Sequence, residues 1–496
     1  MFGLSVLQIL VASVGALLLI GGLRWVVQRE QDRIIRRLIV VGFVAKLGGT
    51  AAYYRVIADV YGSGDVTGYV RVGRELAPMI RSGTLPDHAT QTGTRFMEFL
   101  AGVVFAVMGP SEIVAYLVFS LLSFVGMLAL LKAVQMAVPG ANHRRYAFFV
   151  LLFPTMVFWP STIGKDAWLV LTLGVGAYGV ARVLTRARFG YAVTLVSVAA
   201  MGAVRPHMAA LFSVSFAAAY VIRMFDRDVK RSALGWVIGL VLVGGILTFA
   251  TTTFSEEMGR SEVQEGSALD QLRADTDEIF ERTDRNTRRG GGEFDSRPVR
   301  SPGDLLHAIV TVPYRPFPNE AHNLQVQLSS LEGLLLFALT ILALPNLAKL
   351  PRLALRKPYV AFASVYTLGF IVAFANVGNF GILTRQRSQL LPFLLVLLAL
   401  EVRRNRNPGR PSNRLNRYVA DPPLVAAAPV PDDERGMQDG PAAEPWETQT
   451  GVAEADGRLP LEYDVEFTLA PDGRITAVEV LDNTGRRHFG QDNSSR

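Results

Sequence analysis

Arg37-Leu-Ile-Val-Val-Gly-Phe-Val-Ala-Lys-Leu-Gly-Gly-Thr-Ala-Ala-Tyr-Tyr54 is followed, after six residues, by Tyr61-Gly-Ser-Gly-Asp-Val-Thr-Gly-Tyr69. After Arg37 the first stretch carries one charge, Lys46, and it is preceded by Arg24, Arg29, Arg33 and Arg36. As a helix it is long enough to cross most of a hydrocarbon layer about 30 Å thick. The second stretch is a glycine-rich turn carrying one acid, Asp65. If the apolar run crosses a membrane, Asp65 stands just outside the bilayer, on a loop that can hold a reacting group.

The same alternation of apolar blocks and basic clusters continues along the chain. Half of its 496 residues are apolar, the mean hydropathy is +0.28, and the apolar residues gather in blocks of roughly 15–25. The pattern predicts an all-α polytopic membrane protein. The absence of cysteine excludes a disulfide framework and a thiolate metal site. Six scattered histidines give no metal spacing. The net charge of +7 reports topology and gives no reason to expect nucleic-acid binding.

Basic residues mark the cytoplasmic side, and one path satisfies them. Spans at about 5–24, 37–54, 111–134, 146–159, 167–184, 189–204, 208–222, 233–254, 328–347, 359–376 and 388–401 alternate direction. The N-terminus is then outside and the C-terminus cytoplasmic. Phe96–Met108 is too short to span and is expected to lie in the outer interface. This transmembrane domain, 1–403, has outer loops at 55–95 and 255–327. The second of these holds a candidate helix, Glu262–Arg282, and a Pro313–Pro318 run expected on the membrane surface. Residues 404–459 turn to Pro, Ala, Asp, Glu and Gly, the composition of a disordered linker. Over 460–496, two alternating runs flank Pro471-Asp-Gly473, which predicts a small β-hairpin tail. A cytoplasmic protein partner is a candidate occupant for it, since an isolated hairpin is marginal in water.

The chemistry gathers at the outer ends of these spans. Asp59 and Asp65, Lys165 and Asp166, Arg205 and His207, and Arg385-Gln386-Arg387 all fall there. Lys165, Arg205, Arg385 and Arg387 run against the charge-sorting rule, and ionisable groups near membrane depth tend to be retained for a task. Arginine grips phosphate bidentately and lysine acts as a point charge. A lipid-linked phosphate or pyrophosphate is the natural partner. Sugar transfer from such a lipid needs a carboxylate to take the acceptor proton and fixed cations for the leaving phosphate. Asp65 is the candidate base, with Gly62 and Gly64 permitting its turn and Tyr69 a candidate hydrogen-bond partner for the sugar or headgroup.

Gly64-Asp65-Val-Thr-Gly-Tyr69 with Gly73-Arg-Glu-Leu76 resembles the first outer loop of the GT-C superfamily of polytopic glycosyltransferases. Phe153-Pro-Thr-Met-Val-Phe-Trp-Pro-Ser-Thr-Ile-Gly-Lys-Asp166, Arg205-Pro206-His207 and Thr384-Arg-Gln-Arg-Ser-Gln-Leu-Leu-Pro392 resemble bacterial proteins of polysaccharide assembly, including Wzy/EpsG-like polymerases. The resemblance covers residues 37–401. It implies a polyprenyl-phosphate-linked sugar donor, a glycan or lipid acceptor, an Asp early in this loop as base, and a surface helix after it. Two departures stand out: an extra helix precedes the acidic loop, and no second acidic motif matches the family's later outer loop.

Each residue also has a plainer role. Asp65 is a good helix N-cap, Asp166 a good first-turn acid beside Lys165, and Arg205 can snorkel to headgroups. His207 can be structural. Arg385 and Arg387 can anchor a helix in anionic lipid, and Trp159 and Tyr314 suit an interfacial belt. The expected function is a cell-membrane glycosyltransferase with Asp65 as base and Tyr69, Lys165, Arg205, His207, Arg385 and Arg387 binding the lipid-linked sugar. No cofactor is required by the sequence, which leaves a divalent cation open. The alternatives are a polymerase of lipid-linked repeat units, a transporter of a lipid-linked glycan, and a non-catalytic assembly scaffold. Because the chain has no native cysteine, Ser63→Cys tests the topology: an impermeant thiol reagent applied to intact cells should label it from outside, and labelling only after the inner face is exposed would reverse the orientation.

Overall fold

The structure is a computed structural model that describes residues 21–56, 65–224, 294, 296–321 and 324–401, together with strands 463–469, 475–482 and 487–488. The start of the first expected span, the expected span at 233–254, the candidate helix Glu262–Arg282, Asp59, Tyr61–Gly64 and the linker 404–459 lie outside the described residues.

The larger unit, Met1–Pro408, is built from helices. α1 is Arg33–Val56, α2 Asp65–Arg81, α3 Thr94–Met108 and α4 Glu112–Ala137. α5 (His143–Leu152) and α6 (Pro154–Phe158) precede α7 (Lys165–Leu184), α8 (Gly190–Gly202) and α9 (Pro206–Met224). α10 (Pro302–Tyr314), α11 (Leu324–Leu347), α12 (Leu350–Arg356), α13 (Pro358–Phe374) and α14 (Phe380–Leu398) complete it. Glu112–Ala137, Lys165–Leu184, Pro206–Met224 and Val326–Leu347 are long and apolar enough to cross a membrane, and α8 and α13 are shorter apolar helices. In the separate unit Gly409–Arg496, strands Tyr463–Leu469 and Ile475–Asp482 run antiparallel with Tyr463 opposite Asp482, and Arg487–His488 pairs with the second.

Two boundaries differ from the hydropathy pattern. The expected span at 146–159 is two helices, because Phe153 is extended (ψ 131°) and Pro154 opens α6. Proline forces that conformation on the residue before it and cannot donate to the preceding turn. The last expected span begins at Phe380, eight residues before the expected Ser388. Asn379 caps it, its side chain accepting from the Ile382 amide at 3.1 Å. The polar run Thr384–Gln389 therefore sits inside α14 and is buried apart from Arg385, which is half-buried. Tyr314 is also not a belt residue. It is 6% exposed, and its hydroxyl donates to Thr340 on α11 at 2.9 Å.

α4 and α7 form the central crossing. Gly126 and Gly174 meet there so closely that a Cβ on either would strike the backbone of the other helix. Small residues let helix backbones approach in this way. The broken α5–α6 segment is held from both sides. Glu332 of α11 accepts from the Thr155 amide at 2.9 Å and its hydroxyl at 2.8 Å. Lys46, fully buried on α1, donates to the Met156 carbonyl at 3.1 Å. Lys46 is thus satisfied inside the bundle by backbone carbonyls.

The 26 residues of α4 measure about 39 Å, which separates two polar ends. At one end Lys132 donates to Glu30 at 2.7 Å, Gln135 donates to the same carboxylate at 3.2 Å, and Arg144 donates to Asp32 at 2.7 Å. Burial raises the Glu30 pKa, but the bonds from Lys132 and Gln135 outweigh it and hold the carboxyl below its ordinary value. At the other end, amphipathic α2 lies on α3, with Gly73 against Ala101 and Gly102. A second apolar cluster, Tyr53, Val66, Tyr69, Met97, Phe105 and Tyr116 among its members, fills the space beneath.

Gly174→Val should cost roughly 3 kcal/mol or more, the upper end of what overpacking costs. Gly48→Ala, where a Cβ meets nothing within 4 Å, should be nearly silent. Thermal unfolding of the two proteins in the same detergent checks this, and equal midpoints would contradict the close crossing.

Candidate active site

Asp166 is the centre of the second polar end. It is the second residue of α7 and is fully buried. A lone buried carboxylate is expensive, and Asp166 is not alone. The Arg385 Nε donates to its Oδ2. The Arg205 guanidinium lies 3.8 Å from its Oδ1. Gln389 donates to Oδ1 at 3.3 Å. A polar layer extends the contact: Arg205 and Gln389 both donate to the Gln386 side-chain oxygen, Gln389 at 2.6 Å.

Asp65 opens α2 beside this layer. Its carboxylate is 3.6 Å from Arg385 NH1, and its side chain is 65% exposed, against 1% for Asp166. The two acids share one arginine but differ in access. Asp166 fixes the guanidinium, while Asp65 meets it from the open side. Lys165 lies within electrostatic reach of Asp65, Asp166, Arg205 and Arg385, and donates to Thr94 Oγ1 at 3.1 Å. Asp65 and Asp166 against Lys165, Arg205 and Arg385 leave one net positive charge.

The structure therefore gathers Asp65, Lys165, Arg205 and Arg385 from α2, α7, the turn before α9 and α14. His207 stays exposed at the rim, its ring 6.5 Å from Phe374 and within electrostatic reach of Arg205 and Lys165. One expected binding residue, Arg387, is not at the site, and Tyr69 lies beneath it. Tyr69 is 1% exposed and packs in the cluster under α2 and α3, on the buried face of an amphipathic helix and within electrostatic reach of Asp65, Asp166, Arg205 and Arg385. Burial, and after it the Asp65 charge, pushes its hydroxyl above the usual tyrosine range, so it stays protonated. Arg387 is two residues past Arg385. At about 100° per residue it points to the opposite side of α14. It is 1% exposed, donates to the Arg315 carbonyl, and leaves Nε and NH1 without a hydrogen-bond partner.

Asp166 and Gln386 stand among the outer-face clusters of the sequence without a binding role assigned to them, and Gln389 is not among those clusters. Adjacent residues on a helix do not face each other, so Asp166 takes its hydrogen bonds from Arg385 and Gln389 and not from Lys165. That spacing was the available signal for Asp166. A second was the six-residue polar run Thr384–Gln389 within an apolar helix, which is tolerated only where buried partners exist.

Among the described residues no three His, Asp or Glu side chains gather as a metal site. A scan of known protein-family models, a search of curated proteins and a search of solved structures found no match to this chain.

Asp166→Asn removes the buried countercharge of two arginines and should cost about 3–5 kcal/mol, as breaking one partner of a buried pair does. Asp65→Asn, at an exposed position, should shift stability by less than about 1 kcal/mol. Thermal melts of the purified variants compare the two, and equal losses would contradict the division between a buried and an accessible acid.

Proposed function

We propose that the chain is a membrane glycosyltransferase that moves a sugar from a polyprenyl-phosphate-linked donor to a glycan or lipid acceptor at the outer face of the cytoplasmic membrane. The architecture proposed with it has about eleven spans, the N-terminus outside, and a cytoplasmic hairpin tail. The observation that carries the assignment is the accessible Asp65 carboxylate 3.6 Å from an arginine that a buried acid holds in place.

In the proposed reaction the acceptor hydroxyl gives its proton to an Asp65 oxygen as its own oxygen attacks the anomeric carbon. The bond from that carbon to the phosphate oxygen breaks, and the leaving phosphate keeps the electron pair. Arg205, Arg385 and Lys165 are the cations placed to receive that charge. Preorganised charge is the largest single contribution in such sites, and the Gln386–Gln389–Asp166 layer supplies the preorganisation. Arg387 takes no direct part, Tyr69 supports the charged layer from beneath, and His207 at the rim would meet the headgroup or the sugar.

A polymerase joining lipid-pyrophosphate repeat units is the second assignment. It is favoured by the fixing of the arginines and by the greater freedom of Asp65. There the basic groups dominate and Asp65 is dispensable.

Asp65→Asn should lower transfer by roughly 10²-fold or more, the size of a general-base contribution, with expression and melting temperature kept. Arg385→Lys should also lose most activity, since lysine cannot serve Asp166 and Asp65 with one planar fork. Full activity in Asp65→Asn would remove the transferase mechanism. Long polymeric products from that variant on a gel would select the polymerase.

A further inference from the structure

A cleft of about 640 Å³ opens beside the Lys165 edge of the charged layer, lined by Thr90, Gln91, Thr92, Thr94 and Arg95. It is shallow and largely open to solvent, and its lining is polar. It offers hydroxyls, one side-chain amide and one guanidinium. Among the described residues the side chains of Gln91, Thr92 and Arg95 have no hydrogen-bond partner, so their donors and acceptors are free for a ligand. Arg95 also lacks an acid. Glu98, one turn further along α3, lies 3.5 Å from His88.

The wall is tied to the charged layer at two points. Thr94 Oγ1 accepts from Lys165 at 3.1 Å. The Gly93 amide donates to the Ala203 carbonyl at 2.9 Å, two residues before Arg205. The start of α3 is further steadied by Phe96, whose ring centroid is 6.3 Å from that of Trp168. Thr94 thus belongs both to the cleft wall and to the contacts of Lys165.

We infer that this cleft binds an acidic oligosaccharide, the acceptor of the transfer proposed above, on which the inference rests. Hydroxyl and amide groups match the hydroxyls of a sugar chain. The planar fork of Arg95 matches a carboxylate on it. Lys165 bridges the two functions, held by Thr94 on the acceptor side and facing the arginines on the donor side.

The test measures binding by thermophoresis of the full chain in nanodiscs of neutral lipid, without donor, so it does not depend on turnover. The probes are a tetrasaccharide of galacturonic acid and neutral maltotetraose. The acidic probe should bind at least tenfold more tightly. Arg95→Gln should reduce its affinity to that of the neutral probe, with the melting temperature unchanged because Arg95 is exposed. Gln91→Ala with Thr92→Ala should weaken both probes alike. Equal binding of the two probes, or an Arg95→Gln variant that keeps the preference, would overturn the assignment. So would loss of the acidic probe in nanodiscs containing phosphatidylglycerol, which would give the cleft to a lipid headgroup. An Asp65→Asn variant with full transfer activity would remove the base mechanism alone and leave these comparisons intact.

Discussion

A carboxylate buried in the first turn of α7 needs positive charge brought to it, and the helices around it are arranged to do so. Asp166 sits where solvent does not reach, and leaving it unpaired would cost several kcal/mol. One partner, Arg205, arrives on the turn between α8 and α9. The other, Arg385, is 219 residues away in sequence, on α14. The contact joins the end of the chain's helical body to its middle. Arg385 then has a free edge, and Asp65 of α2 meets it there. One buried ion contact thereby fixes the relation of four elements that no short-range pattern links.

The rest of the packing serves that end of the bundle. The Gly126–Gly174 crossing lets α4 and α7 run in backbone contact, which brings Asp166 beside the ends of α1 and α4. The α2–α3 pair, closed by Gly73 on Ala101 and Gly102, lies over an aromatic and aliphatic cluster and carries Asp65 to the rim. At the far end, Glu30, Asp32, Lys132 and Arg144 form ordinary ion pairs around helix termini. Breaking α5 from α6 at Pro154 leaves backbone groups that Glu332 and Lys46 satisfy from neighbouring helices. Among the buried charged residues, Glu332 and Lys46 mend a broken helix, and Asp166 holds the arginines of the surface where Asp65 is exposed.

The long apolar helices were largely legible in the sequence, because apolar length and basic clusters are local signals, whereas α10 and α12 fall in stretches read as loops. Thr94–Met108 as a separate helix, and Asp65, Lys165, Arg205 and Arg385 at one end, followed from them. What was not legible depended on which way a side chain faces. Arg385 and Arg387 look equivalent in sequence, yet two residues of helix turn place them on opposite sides of α14. Tyr69 looked like a sugar contact because of its turn, but the amphipathic face of α2 buries it. Asp166 looked like a first-turn acid of its own helix, whereas burial obliged it to take partners from distant helices. The start of α14 was missed because a polar run resembles a loop until its buried partners are known.

A structure of the full chain with a bound polyprenyl phosphate bears most directly on the central claim. The expected result places the phosphate oxygens within hydrogen-bond reach of the Arg205 and Arg385 guanidiniums, with the Asp65 carboxylate facing the bond to the sugar position. A phosphate bound at the opposite end, near Arg144 and Lys132, would contradict it.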